Sequence, residues 1–212
     1  MAGHETRMLL LGAVSMFAPV NGYQIRRELL SWHVDEWAHV NPGSIYHGLA
    51  TLTRQELLVR TDLLDGAREV AVYEITDAGR AELQRLQVEA LERVDLHDRV
   101  AFQAAFGMLS NLGTATAVGA LRTRAAGLEG QVEALAGDQH SPYAGPPHAR
   151  RGLVLWRELA IAELLWLRGV LADLESGALR IAPDQWDWAP PADDEGWQMQ
   201  ADREKYRALL GR

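Results

Sequence analysis

The chain has 212 residues, 48% of them hydrophobic, a formal charge of −8 at pH 7 and no cysteine. That length can bury a core in one domain or two small ones, and the missing thiols exclude disulfides and thiolate metal sites, which fits a reducing, cytoplasmic setting. The acidity weighs against tight non-specific binding to nucleic acid, but net charge does not decide where a few arginines gather.

Residues 5–18 predict a first helix with wide burial, from Met8 through Leu11 to Phe17. The apolar run has about the length of a signal peptide, yet Glu5 and Arg7 precede it and no small-x-small cleavage site closes it, so a core helix is expected. No stretch reaches the roughly 18 uninterrupted apolar residues of a membrane span, and no membrane partner is expected. Pro19-Val-Asn-Gly22 predicts a turn. Tyr23 to Trp32 predicts a second helix with Ile25 and Leu29 inward, and a loop follows through residues 34–40.

The stretch from Asn41 to Leu58, NPGSIYHGLATLTRQELL, predicts a sharply started helix. Asn41 is a candidate N-cap and Pro42 suits the first helical position. Ile45, Leu49 and Leu52 recur at helical spacing, as a core-facing stripe does. The opposite face is read as Ser44, His47, Gly48, Thr51 and Gln55, with Arg54 beside them, groups able to approach base edges or phosphates. On its own the pattern fits a DNA recognition helix or an ordinary amphipathic surface helix. Then the period changes. Leu57 to Leu63 alternates as a strand, Leu64-Asp65-Gly66-Ala67-Arg68 contains the Asp-Gly hairpin signal, and Val70 to Ile75 gives a second strand. Thr76 is a candidate cap for a long helix expected to reach Val100. Three helices and a hairpin make a winged helix-turn-helix, in which the third helix enters the major groove and the hairpin lies over the flanking backbone.

Three blocks, GYQIRRELL (Gly22–Leu30), NPGSIYHGLATLTRQELL (Asn41–Leu58) and VYEITDAGRAEL (Val72–Leu83), resemble the PadR-like transcriptional regulators in order and spacing over residues 8–90. The shared features are Gly-Tyr-x-Ile at the second helix, Gly-Ser-Ile-Tyr-x-x-Leu in the recognition helix, and Tyr-x-x-Thr-x-x-Gly after the wing. Two departures stand out. Where the family has glycine in a Glu-Gly-Leu turn, this chain has Gln55-Glu56-Leu57-Leu58, and its wing tip carries Arg68 alone between Asp65 and Glu69. The resemblance implies operator DNA as partner and, in larger members, a C-terminal helical domain that dimerises.

Beyond the winged segment, a short helix is expected around 101–109 and a break at Ser110–Gly113. Val118, Leu121, Ala125, Leu128, Val132 and Leu135 follow in alternating steps of three and four, a heptad seam. A polar loop spans 137–147. Leu153 to Leu174 is apolar on most sides, with Trp156, Leu164, Leu167 and Leu171 among its residues, and burial from several sides, including by a second subunit, is the expectation. The tail from Ala182 holds Trp186, Trp188 and Trp197 around the acidic run Asp193-Asp-Glu195, with a possible helix over 198–210. It is too aromatic for simple disorder and is expected to pack on the dimer.

The expectation is therefore a mostly α chain. Residues 1–90 form the winged helix-turn-helix, 91–181 a helical dimerisation and effector domain, and 182–212 the Trp-containing tail. The DNA candidates are Ser44, Tyr46, His47, Thr51 and Arg54 on the recognition helix, Arg68 at the wing tip, and Tyr23 and Gln24 where a helix N-terminus favours phosphate. Tyr23 reads equally as a core-edge aromatic and Arg68 as a solvated tip. Dimer candidates are Val118, Leu121, Leu128, Val132, Leu135, Trp156, Leu164, Leu167 and Leu171. Trp32, Trp156 and Trp166 are candidates either for plain core or for stacking a flat hydrophobic effector. The seven histidines show no metal spacing, and no nucleophile elbow, P-loop or dinucleotide fingerprint is present, so neither cofactor nor catalysis is expected. A homodimeric repressor, a constitutive regulator without effector, and a winged interaction module that has lost DNA remain open.

Overall fold

A computed structural model of the chain describes residues 3–138, 141, 145–182 and 189–211, so Trp186, Trp188 and part of the 137–147 loop lie outside the described residues. The chain divides into two compact units: Met1–Gln87 with Asp187–Arg212, and Val88–Trp186. The described tail residues 189–211 thus group with the winged segment.

In the first unit, α1 (His4–Phe17), α2 (Gly22–Ser31) and α4 (Pro42–Arg54) pack on a three-stranded antiparallel sheet of β1 (Val20–Asn21), β2 (Leu58–Asp65) and β3 (Arg68–Ile75), in the order β1-β3-β2. Met8 to Val14 is buried without interruption, so α1 is apolar all round, as a central core helix must be. Ile25, Leu29, Ile45, Leu49 and Val72 are fully buried around it; each contributes about 1.5–3 kcal/mol on leaving water. β1 (Val20–Asn21) has only two residues and pairs Val20 with Tyr73, a strand too short to show any period. A short helix, α3 (Val34–Trp37), occupies the expected loop. β2 (Leu58–Asp65) and β3 (Arg68–Ile75) pair from Leu58↔Ile75 to Asp65↔Arg68, which leaves Gly66 and Ala67 as a tight turn, with Gly66 at φ +64°. The expected alternation breaks at Val59, which is exposed like Arg60 after it, and is regular from Arg60 to Asp65.

α2 begins with a reciprocal capping box. The Gln24 N–H donates to Asn21 Oδ1 at 2.9 Å and the Asn21 N–H to Gln24 Oε1 at 3.1 Å, which satisfies two donors that a helix start leaves open. α4 starts at Asn41, but through its carbonyl: the Asn41 side chain makes no cap bond, and Ser44 Oγ donates to Asn41 O at 2.6 Å. At its end the Leu57 N–H reaches Leu52 O and the Glu56 N–H reaches Thr53 O, both at 3.0 Å, with Glu56 left-handed at φ +59°. That is a Schellman closure, and the buried Leu52 and Leu57 supply its usual apolar contact. Thr76 caps α5 (Asp77–Glu92), its Oγ accepting from the Gly79 N–H at 2.9 Å. α9 (Gly196–Leu209) also packs in this unit, against β1.

α5 stops at Glu92, short of the expected Val100. The chain turns where Asp95 Oδ1 accepts from the His97 and Asp98 N–H groups, an Asx turn that competes with helix. The second unit continues with α6 (Val100–Gly107), a single 3₁₀ turn (Leu109–Asn111), α7 (Thr114–Asp138) and α8 (Pro147–Ser176). α7 and α8 run antiparallel, as the pairs Arg122–Glu175 and Arg168–Glu129 require. Between them Arg124, 1% exposed, meets Glu163 and the Arg93 carbonyl and lies 3.9 Å over the Phe102 ring. Burial pushes its pKa down while Glu163 holds it charged.

The apolar seam finds its partner inside the chain. Leu121, Leu128 and Leu135 of α7 and Leu164, Leu167 and Leu171 of α8 are buried in the single copy, with Val118, Val132 and Trp156 half-buried. The six leucines thus pack within the single copy, while Val118, Val132 and Trp156 keep part of their surface open. What stays exposed on α8 is a stripe of Leu155, Leu159, Ala162 and Trp166, at steps of four, three and four, together with Leu165 beside it. Among the described residues no helix is long and apolar enough to cross a membrane.

Candidate nucleic-acid interface

α4 is flanked by two grooves, and the candidate side chains divide between them. The first, about 620 Å³, runs between the start of α2, the start of α4 and the wing, and is lined by Tyr23, Gln24, Arg27, Tyr46, Arg60, Arg68 and Tyr73. The second, about 510 Å³, lies between α4, α1 and α5 and is lined by His4, Arg7, His47, Thr51, Arg54, Gln55 and Glu82. Ser44 lines neither. Its hydroxyl is engaged with Asn41 O.

In the first groove Tyr46 and Tyr23 stand 47% and 58% exposed, two phenols held outward on helix starts. A phenol O–H, a guanidinium and a helix N-terminus are the donors that phosphodiester oxygens take. Arg60 faces the groove from β2, opposite Tyr73, and is bound to Asp62 at 2.8–2.9 Å, which raises its pKa further. Arg68 pairs in register with Asp65 at the tip. Arg27 and Arg60 were not among the sequence candidates. Arg60 becomes legible only once the register sets it opposite Tyr73 of β3. Gln24, by contrast, is 3% exposed, its carbonyl in the capping box and its amide on Asp202 Oδ2 at 2.8 Å. It braces the groove wall and is not presented to solvent.

In the second groove His47 and Arg54 are exposed, and Arg54 Nη2 donates to Thr51 Oγ1 at 3.2 Å, which aligns the two on one edge of α4. Gly48, read as part of the outward face, is buried. A Cβ there would stand 2.3 Å from Leu10 Cδ1, so this glycine lets α1 and α4 approach closely. Arg7 spans the floor, donating to Glu82 at 3.0 Å and to Gln55 Oε1 at 2.5 Å.

Trp32, Trp156 and Trp166 do not form one group. Trp32 packs on Phe17 in the first unit, ring centroids 6.2 Å apart. Trp156 meets His97 edge-on at 4.4 Å and Trp166 packs on Phe102 and Phe106, ten residues or roughly 15 Å further along α8. Among the described residues no group of three or more histidines and carboxylates is placed to hold a metal ion.

Residues 10–85, which hold α2, α4 and the wing, match the family described as Transcriptional regulator PadR-like family. A comparison with curated proteins gave no match. Among solved structures, the Bacillus subtilis PadR in complex with operator DNA aligns at 20% identity over 79% of this chain and 98% of that one, with a TM-score of 0.35. The Streptococcus mutans UA159 protein smu.1604c aligns at 17% identity over 78% and 98%, TM-score 0.33.

Proposed function

We propose, from the premise that residues 10–85 are a PadR-like domain, that this chain is a sequence-specific DNA-binding transcriptional regulator that works as a homodimer. The observation that carries the reading is the convergence of Tyr23, Tyr46, Arg27, Arg60 and Arg68, from two helix starts and the wing, on a single open groove beside α4. In this reading the groove takes the sugar-phosphate backbone, while His47, Thr51 and Arg54 on the other edge of α4 reach base edges. The wing tip carries one arginine among acids, so α2 and α4 share with Arg60 the grip that a basic tip would give.

One such helix reads only a few base pairs, and two related by a two-fold axis read a palindrome. The exposed α8 stripe of Leu155, Leu159, Ala162 and Trp166 supports a second copy as the partner that covers it. Seated on a promoter, the dimer acts as a repressor by occlusion. A flat hydrophobic effector that favours a different spacing of the two α4 helices releases it.

Gel shift with the DNA upstream of the protein's own coding region tests the reading. Wild type is expected to give a salt-sensitive shift that Tyr46→Ala and Arg54→Ala weaken. No shift at micromolar dimer, or one that both variants leave intact, would favour a winged interaction module over a regulator. Tryptophan fluorescence against flat aromatic compounds tests the effector arm: sustained silence across such a set means constitutive binding.

A further inference from the structure

α9 is seated on the part of the first unit that the DNA reading needs, and what it presents there is carboxylate. Its anchoring is firm: Tyr206 is 3% exposed and its hydroxyl accepts from Asn21 Nδ2 at 2.9 Å, while Arg203 Nε donates to the Ala18 carbonyl at 2.7 Å. Lys205 reaches across to the wing and pairs with Asp65 at 2.5 Å. Toward α2 the helix and its lead-in offer two acids. Asp202 Oδ2 takes the Gln24 amide at 2.8 Å, and the Glu195 carboxylate stands 3.2 Å from Arg27, which also donates to the Glu195 carbonyl. The cations of α9 are already engaged: Arg203 with a backbone carbonyl, Arg207 with Glu204, and Lys205 with Asp65 on the wing side of the groove.

An amide and a guanidinium on the first turns of a helix are the groups a phosphodiester binds, and a carboxylate satisfies them in the same way. Asp202, Gln198 and Tyr206 also wall the groove that holds Tyr23 and Tyr46. We infer that α9 is an autoinhibitory strap: in the free protein its Asp202 and Glu195 hold Gln24 and Arg27 in place of DNA phosphate, so that docked α9 and DNA compete for the start of α2. The inference rests on the DNA-binding reading above. Apparent affinity for DNA is then lowered by the fraction of molecules in which the strap is closed.

The test compares two double variants of the full chain with equal loss of charge, Glu195→Gln/Asp202→Asn and Asp193→Asn/Glu204→Gln. Only the first pair touches α2. Binding is read by anisotropy of a labelled double-stranded fragment from upstream of the coding region, with thermal melts to verify folding. The first pair is expected to tighten binding about tenfold, from two rim contacts worth roughly three- to fivefold each, and the control pair by no more than a general charge effect. A nitroxide on Gln200→Cys, a unique thiol in this chain, is expected to gain mobility when saturating DNA is added, a readout that does not depend on the affinity of the variants.

Equal tightening by both pairs, no tightening by the first, or a label that stays immobile on DNA would overturn the strap. If wild type binds DNA in a Tyr46-dependent way while the variants behave alike, the strap alone falls. If neither wild type nor any variant binds, the DNA reading falls and takes the strap with it.

Discussion

Gly22 lies against Tyr46: a Cβ on Gly22 would stand 3.1 Å from ring atom Cε1 and 3.4 Å from Cδ1. The Gly-Tyr-x-Ile start of α2 and the Gly-Ser-Ile-Tyr start of α4 are therefore one structural device. The first supplies the bare backbone on which the second rests its phenol. Gly22→Ala forces the ring aside by a few tenths of an ångström. Stability is expected to change by less than about 1 kcal/mol, since the ring edge is exposed and can move, whereas DNA affinity is expected to fall several-fold. A double-mutant cycle checks the cause: in a Tyr46→Ala background the Gly22→Ala loss is expected to vanish, and strict additivity would contradict it.

The departure from the family pattern after α4 has a measurable consequence. Glu56 occupies the left-handed residue of the Schellman closure, φ +59°, where the resemblance places glycine. A side chain in that region crowds its own backbone, and glycine relieves this at the cost of some chain entropy. Glu56→Gly is expected to stabilise the fold by about 0.5–1 kcal/mol, read as a higher midpoint in urea with unchanged slope. A lower midpoint would mean that the site holds Glu56 without strain.

Glu82 gives a pH dependence with a definite sign. The hydrogen bond from Arg85, and then the charges of Arg85 and Arg7, hold its carboxyl below the usual carboxylate range. A folded pKa below the unfolded value of about 4.3 means that the contribution is fully present above that value and is lost as pH falls through the folded one. Glu82→Gln is expected to cost about 0.5–1 kcal/mol near neutral pH, with the gap to wild type closing below about pH 4. A gap that stays constant down to pH 3, on the order of one unit below the unfolded value, would exclude the ion pair as its source.

Much of the first unit could be read from spacing alone. Ile45, Leu49 and Leu52, the Asp-Gly hairpin and the Thr76 cap are local signals, each set by residues within a few positions of one another, and all three appear where expected. What could not be read depends on distant partners. β1 has two residues and exists only because Tyr73 and Val72 lie beside it. Gly48 looks like a gap in a polar face until Leu10 is placed against it. A heptad seam announces that α7 packs on a helix but not whose, and here α8 of the same chain fills it. The docking of α9 joins residues about 180 positions apart, Asn21 with Tyr206 and Gln24 with Asp202, through single polar pairs that leave no periodic trace.

The groove beside α4 as a DNA-backbone site is the central claim, and titration of Tyr46 variants tests it most directly. Anisotropy of labelled upstream DNA at fixed salt would compare wild type, Tyr46→Phe and Tyr46→Ala. Tyr46→Phe keeps the ring on Gly22 and removes only the hydroxyl, so it is expected to weaken binding by about one hydrogen bond, roughly five- to tenfold, with Tyr46→Ala weaker still. Three superimposable binding curves would contradict the account.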